Sequence, residues 1–422
     1  MNFVDDESNF IDSFSHVLGK YIKKDRSKSI IMATLSAIGT NTGIRKMARN
    51  SNIKFEQMNR VYKNHFRLET LKNACDKIVN KLNSLTIFKH WNIDGENIYS
   101  SSDGQKIETS RNTINSRHSP KYFGLGKGIV SYAQVLNNAP VNSELFGANE
   151  HESHYVLDIL EGNTSDVKPD IHTTDSHGTN RINFALLHLF GYHFAPRYKN
   201  FAKEAKKLYS FEPIQNYAHC TLKPIAQINE KLLQMEWNEI LRIYASLALK
   251  TTTQSTIVRK LSSYARKNNT RKALGELDKA KKSIHILKYT DDNNYRQNIQ
   301  KSLNRGESFH GLKNAVFYDH QGKFRVSNEN EQKIWNESTR LISLCIIYYN
   351  SFILSEIWEQ REKEGLDNEF LKSVSPIHWR NIDWFGKFTF SQTVSETTVK
   401  SIFEAIDKLD FTLFDKLGTK KD

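Results

Sequence analysis

Three carboxylates have the type and setting to do metal-ion chemistry. Asp103 lies in "SSSDGQ", Asp175 in "TTDSHG" and Glu307 in "LNRGESFHGL", 72 and 132 residues apart along the chain. Magnesium is a hard ion that takes oxygen ligands and keeps several waters, so a few carboxylates suffice to hold it. Two such ions about 3.5–4 Å apart activate an attacking oxygen and stabilise a leaving one in phosphoryl transfer. The small neighbours Ser102, Gly104, Ser176 and Gly178 would leave room for a phosphate backbone. Each acid also has a plain structural reading. Asp103-Gly104 is a turn dipeptide, Asp175 before Ser-His-Gly can cap a helix, and Glu307, read as lying near a helix start, is favoured by the helix dipole.

Acids this far apart meet only if strand ends and a facing helix carry them to one place. Residues 1–90 read as helical: "FIDSFSHVLGKYI" and "FEQMNRVYKNHFRLETLKNACDKIVNKLNSL" keep apolar residues at helical spacing, with "AIGTNTGI" as the break between them. Residues 91–140 predict two or three adjacent antiparallel strands from "NIYSSSDGQKIE" and "GIVSYAQVL". In "HESHYVLDIL", Tyr155, Val156, Ile159 and Leu160 share a helical face. "DIHTTDS" predicts a strand. "TNRINFALLHLF" predicts a helix with Thr179 or Asn180 as N-cap, and "YHFAPRY" a short strand stopped by Pro196. Residues 200–300 read as helical and basic with no β signal. Two helices around "YDHQGKFRVSN" follow, then a helical tail as far as "SPIHWRNIDWFGKFTF".

The domain reading is therefore a helical segment at 1–90, the first part of an α/β core at 91–199, a helical basic insertion at 200–294, final core helices with the third acid at 295–350, and a C-terminal helical region at 351–422. This order of strands and helices fits a ribonuclease-H-like layout.

Composition limits the function classes. The 422 residues are 38% hydrophobic and 25% charged, enough for a real core. No run of 18 apolar residues occurs and "MNFVDDESNF" lacks the apolar stretch of a signal peptide, so no membrane partner is expected. Cys75, Cys220 and Cys345 are too scattered for a disulfide framework or zinc knuckle. A net charge of +13 points to a polyanionic partner. Basic stretches with interleaved tyrosines recur along the chain: "KYIKKDRSK", "RNTINSRHSPKY", "RKLSSYARKNNTRK" and "KAKKSIHILK". They suit phosphate contact and base stacking.

Taken together, "YSSSDGQKIE", "KYFGLGKGIVSYAQV", "HYVLDILEGN", "HTTDSHGTNRINFALLHLFGYHFAPR", "RKLSSYARKNNTRKALGEL", "SLNRGESFHGLKNAVF" and "SPIHWRNIDWFGKFTF" resemble transposases of the Tn3 family of replicative transposons, from about residue 15 to about 395. The resemblance implies a ribonuclease-H-like (retroviral integrase-like) α/β core with a helical insertion and flanking helices. It implies an Asp-Asp-Glu triad of Asp103, Asp175 and Glu307 that holds Mg2+, with Mn2+ as a substitute. It implies cleavage of transposon 3′ ends and strand transfer into target DNA, giving a cointegrate. Double-stranded DNA is the implied partner, with a homodimer on DNA, in a cytoplasmic, nucleoid-associated setting.

Family members run much longer, with N-terminal regions that recognise the transposon ends. The expectation is thus a shortened transposase, with a separate end-binding protein as a partner. The alternative is an inert DNA-binding form that modulates a full-length transposase. A nuclease unrelated to transposition is disfavoured by the long basic insertion.

Further residues have open readings. His177 would contact the scissile phosphate or cap the next helix. Arg197 would anchor a phosphate or pair with an acid. Lys301, Arg305 and His310 flank Glu307 and would touch DNA or form a solvated face. His172 reads as structural, and Trp379 and Trp384 as core residues rather than base-stacking ones. His151 and His154 lack the further ligands of a zinc site.

Overall fold

A computed structural model describes residues 1–19, 27–263, 268–384 and 386–391, with positions 401, 403–406 and 408. Most of "KYIKKDRSK", part of "RKLSSYARKNNTRK" and most of the tail beyond residue 391 lie outside the described residues. The helices are α1 (Asn2–Ser8), α2 (Lys28–Gly39), α3 (Ile44–Arg49), α4 (Phe55–His65), α5 (Leu68–Asn83), α6 (Thr86–His90), α7 (Pro120–Phe123), α8 (Val156–Glu161), α9 (Asn183–Leu189), α10 (Phe201–Ala205), α11 (Glu230–Ala248), α12 (Gln254–Ser263), α13 (Asn269–Asp291), α14 (Asn293–Val316) and α15 (Glu329–Lys363). The strands are β1 (Tyr99–Glu108), β2 (Arg117–His118), β3 (Lys127–Leu136), β4 (Ala139–Gly147), β5 (Ile171–Thr173), β6 (His193–Phe194), β7 (Leu208–Ser210) and β8 (Pro224–Gln227).

A six-stranded sheet, ordered β2-β3-β1-β5-β6 with β4 also on β3, forms the centre of a mixed α/β fold. β1, β3 and β4 pair antiparallel, whereas β5 and β6 run parallel to β1. Side chains of a strand alternate between faces, and β3 follows that rule. Ile129, Ala133 and Val135 join the core under α2, α5, α14 and α15. Val130 and Tyr132 face the opposite core, shared by α8, α9 and the helices α11 to α13. The sheet is therefore buried on both sides, and its central strand β1 lies deep in the molecule.

α15 is the one helix among the described residues that is long and apolar enough to cross a membrane. It packs instead on α2, α5 and β4 and carries the buried ion pair Glu337–Arg340.

Residues 200–294 are not purely helical, against expectation. β7 and β8 form a small parallel ladder, whose three- and four-residue strands are too short to show alternation in the sequence. The start of α9 is also held differently from the expected Thr179 or Asn180 cap. The Asp278 carboxylate of α13 accepts hydrogen bonds from the Phe184 and Ala185 amides, at 2.8 and 3.4 Å. These are donors that a helix start leaves without intrahelical partners. α13 is thereby fastened to α9 through a buried carboxylate.

Candidate active site

β1 places Asp103 in mid-strand, opposite Ala133 of β3, so Asp103-Gly104 is not a turn. Gly104 is small for a reason: a Cβ there would collide with the carboxylate of Glu152. Glu307 is not near a helix start either. It sits in the second half of α14, a 24-residue helix capped by Asp292. Asp175 follows the end of β5 and does cap a single 3-10 turn. One carboxylate oxygen accepts the His177 amide at 2.8 Å, and the other meets the His177 ring Nδ1 at 2.9 Å.

α14 lies along β1 in register. Ser101, Asp103 and Gln105 are alternate residues of β1, and they meet Gly306, His310 and Asn314 of α14, which are spaced four apart. The Ser101 hydroxyl donates to the Ser302 carbonyl at 2.9 Å, His310 Nδ1 lies 3.6 Å from Asp103 Oδ2, and Gln105 bonds to Asn314. Two residues of strand advance about 6.6 Å and four residues of helix about 6.0 Å, so the two repeats stay in step over this length. That match brings Glu307 over the strand.

Ligand atoms of Asp103, Glu307 and His310 all lie within 4.8 Å of one another, and so do those of Asp103, Glu152 and Asp175. Asp103 thus belongs to both groups. The three expected acids converge, and Glu152 joins them. The sequence does not single out Glu152. Its only signal was an acid between a strand and a helix. Glu152 is buried, with Lys106 Nζ 2.7 Å from one of its oxygens. Burial foremost, then the charges of Asp103 and Asp175, push its carboxyl up, against the pull of Lys106. Partial burial and the same two aspartates also push Glu307 up. Neither Asp103 nor Glu307 has a lysine or arginine ion pair among the described residues, so this negative charge is open to a cation.

The flanking candidates divide. Arg197 is exposed, donates to Gln300 at 2.8 Å, and its charge bears on Glu307. His177 is exposed and held by Asp175. Lys301 is exposed in a separate cleft with His90 and Lys372. Two expectations need correction. Arg305 is committed inside the protein, where it donates to Asn137 and to the Trp91 carbonyl at 3.0 and 2.7 Å. His310 is buried against Asp103 instead of lying on a solvated face, because its helical position faces the strand. His172 is structural, as expected: its ring nitrogens bond Ser100 and Ser102 at 2.8 and 2.9 Å, and burial drives it down to about 3. Trp379 and Trp384 pack against the main core. His151 bonds Ser153, and neither His151 nor His154 joins a ligand cluster among the described residues.

Comparison with known proteins identifies the family. The chain is 30% identical over 396 residues to the transposase for transposon Tn501 of Pseudomonas aeruginosa, covering 92% of this chain and 39% of that protein. It is 30% identical over 391 residues to the transposase for transposon Tn21 of Escherichia coli, 91% of this chain and 39% of that one. It is 27% identical over 409 residues to the transposase for transposon gamma-delta of Escherichia coli strain K12, 96% and 40%. The chain therefore spans about two fifths of the length of these relatives. The family described as Tn3 transposase DDE domain matches residues 1–388, and it is to this family that the chain belongs.

Proposed function

We propose that this chain is the catalytic unit of a DNA transposase, cutting transposon 3′ ends and joining them to target DNA. One observation carries the reading: Asp103 stands within ligand distance of Glu307 and His310 on one side and of Glu152 and Asp175 on the other. A carboxylate shared by two ligand groups suits two neighbouring ions of the kind that clamp the attacking and leaving oxygens in phosphoryl transfer. Strand order supports a ribonuclease-H-like core: three antiparallel strands, then two parallel ones, with the first strand central.

The donor set fits hard divalent ions, being mostly carboxylate oxygen with one imidazole. Mg2+ is the proposed ion and Mn2+ its substitute. When bound, the ions supply an activated water or 3′-hydroxyl and stabilisation of the leaving oxygen. Asp103, Asp175 and Glu307 would hold them. The His177 bonds orient Asp175, and the Ser101–Ser302 contact orients the helix that bears Glu307. Arg197 adds positive charge beside Glu307, where a phosphate would lie. Two ends must be joined in one event, so a homodimer on DNA is the proposed assembly, with end recognition supplied by a separate region or protein. DNA as substrate implies a cytoplasmic, nucleoid-associated site of action.

The test is Mg2+-dependent nicking of a duplex carrying the element's own terminal repeats. Asp103→Asn, Asp175→Asn and Glu307→Gln should each abolish nicking and leave DNA binding measurable. Wild-type rates in these variants would reject the assignment. Binding without nicking by the unaltered chain would favour the inert, modulating form.

A further inference from the structure

We infer that a cavity between the Asp175 loop and the basic helices is a nucleotide site, which takes one unstacked nucleotide of the DNA strand processed at the acid cluster. This rests on the proposed function above and deepens it. The cavity, about 770 Å³, runs from Ser176 to α13. That is a usual size for an enclosed small ligand.

Its chemistry is that of an anion with a flat ring. Arg181, Lys199, Lys207, Lys279 and Lys282 line it, with Glu204 and Asp278. Glu204 is already held by Lys207 and Lys282, at 2.6 and 2.5 Å. Asp278 spends its carboxylate on the α9 amides, and burial pushes it up to about 7. Lys279 is paired with Glu276 at 2.6 Å, which leaves Arg181 and Lys199 as the cations that face the cavity without a carboxylate partner among the described residues. Two tyrosines complete the walls. Lys279 Nζ stands 5.0 Å from the Tyr209 ring centre and Lys282 Nζ 5.4 Å from that of Tyr198. These ammonium groups stand over the ring faces, so a base reaches the rings by displacing them. Basic grooves with aromatic side chains hold single-stranded nucleic acid by phosphate contact and base stacking.

The cavity is tied to the acid cluster through the backbone. Ser176 lines it, directly follows Asp175, and its hydroxyl accepts the Lys199 amide at 2.8 Å. Gly275 supports the assignment independently. It stands mid-helix in α13, where glycine costs about 1 kcal/mol relative to alanine, yet a Cβ there would meet nothing within 4 Å. Packing does not demand glycine at that position, and its absent side chain leaves the cavity open.

The experiment uses the full chain in EDTA with a duplex bearing a single-stranded extension. One extension base is replaced by 2-aminopurine, which is quenched on stacking, and a terminal fluorescein reports binding by anisotropy. Wild type should quench the 2-aminopurine several-fold. Gly275→Leu fills the cavity with a better helix former and should abolish quenching, as should Tyr209→Leu. Lys231→Ala, outside the cavity, should change neither signal. Free 2-aminopurine deoxynucleoside monophosphate separates the two sources of the ligand. Competition means that the site also takes mononucleotides, and no competition means strand nucleotides alone. Full quenching in a folded Gly275→Leu, or equal loss in Lys231→Ala, overturns the inference. Nicking with Mg2+ is measured in parallel. Quenching that survives without nicking counts against the acid assignment alone, and nicking without quenching counts against the cavity alone.

Discussion

Gly306 of α14 lies so close to Ser101 of β1 that an added Cβ would stand 3.0 Å from the serine hydroxyl. That hydroxyl is already engaged with the Ser302 carbonyl one helical turn away. Helix and strand therefore touch at two small residues, and Glu307 follows Gly306 directly in the chain. Gly306→Leu should push α14 off β1, at a cost of about 1–3 kcal/mol for overpacking. A displacement near 1 Å at a reacting group costs about 100-fold in rate, so nicking should fall by that order. Gly306→Ala should be milder, because better helix propensity opposes the close contact. Adding Ser101→Gly to Gly306→Ala should restore nicking. Melting curves and nicking rates measured side by side check this, and a Gly306→Leu variant with normal nicking would disprove it.

Glu152 is the acid whose removal separates ion binding from fold. It shares Asp103 and Asp175 as neighbours, and its own charge is partly cancelled by Lys106. Glu152→Gln keeps the shape, removes one negative charge and leaves Lys106 beside the cluster. Divalent-ion affinity should fall by about tenfold, the equivalent of about 1.4 kcal/mol, with Asp103→Asn falling further because it belongs to both groups. Titration with Mn2+, followed by its electron paramagnetic resonance signal, gives both numbers. Equal affinities for Glu152→Gln and wild type would remove Glu152 from the site.

The central strands were readable as short apolar runs bounded by turn residues, being buried on both faces, and the flanking helices by one apolar face each. "GIVSYAQVL" alternates between two cores and became β3. Local chemistry misled where a residue's partner lies far off in sequence. Asp103-Gly104 has the makeup of a turn, yet its glycine makes room for Glu152. Glu307 reads as lying near a helix start, but Gly306 before it is a contact point within a longer helix. The cap of α9 comes from Asp278, 94 residues downstream of Phe184, and no nearby residue signals it. Arg305 reads as a surface cation until Asn137 and Trp91 enclose it.

Acid should weaken the fold in a way that can be assigned to single histidines. Burial drives His172 down to about 3, and burial foremost does the same to His285. Unfolded histidine titrates near 6.5, so below that pH the unfolded chain binds protons that the folded chain refuses. The stabilising contribution is complete above about 6.5 and is lost progressively as pH falls toward 3, at up to about 1.4 kcal/mol per pH unit for each histidine. His172→Asn should remove one such share of the slope whatever its absolute stability. Urea midpoints at pH 7.5 and 5.0 test the point, and an unchanged slope in the variant would show that His172 is not the group responsible.

The deepest charges set the last prediction. Glu337 and Arg340 are both buried, with Arg340 Nη2 2.5 Å from Glu337 Oε2. Arg340 also donates to the Pro140 and Val141 carbonyls of β4, at 3.1 and 2.9 Å, so the pair locks α15 to the sheet. Lys313 of α14 joins the same region through Asn336 at 2.7 Å, with burial pushing its ammonium down to about 7. Removing one partner of a buried pair strands the other charge, which costs about 3–5 kcal/mol. Losing a hydrogen-bonding side chain that is easily neutralised costs about 1–3 kcal/mol. Glu337→Gln should therefore destabilise the protein more than Lys313→Met, although both side chains are equally hidden from water. Lys313→Met should still slow nicking, because it loosens the far end of the helix that carries Glu307. Urea unfolding of the two variants fixes the order, and equal costs would mean that Arg340 does not depend on the charge of Glu337.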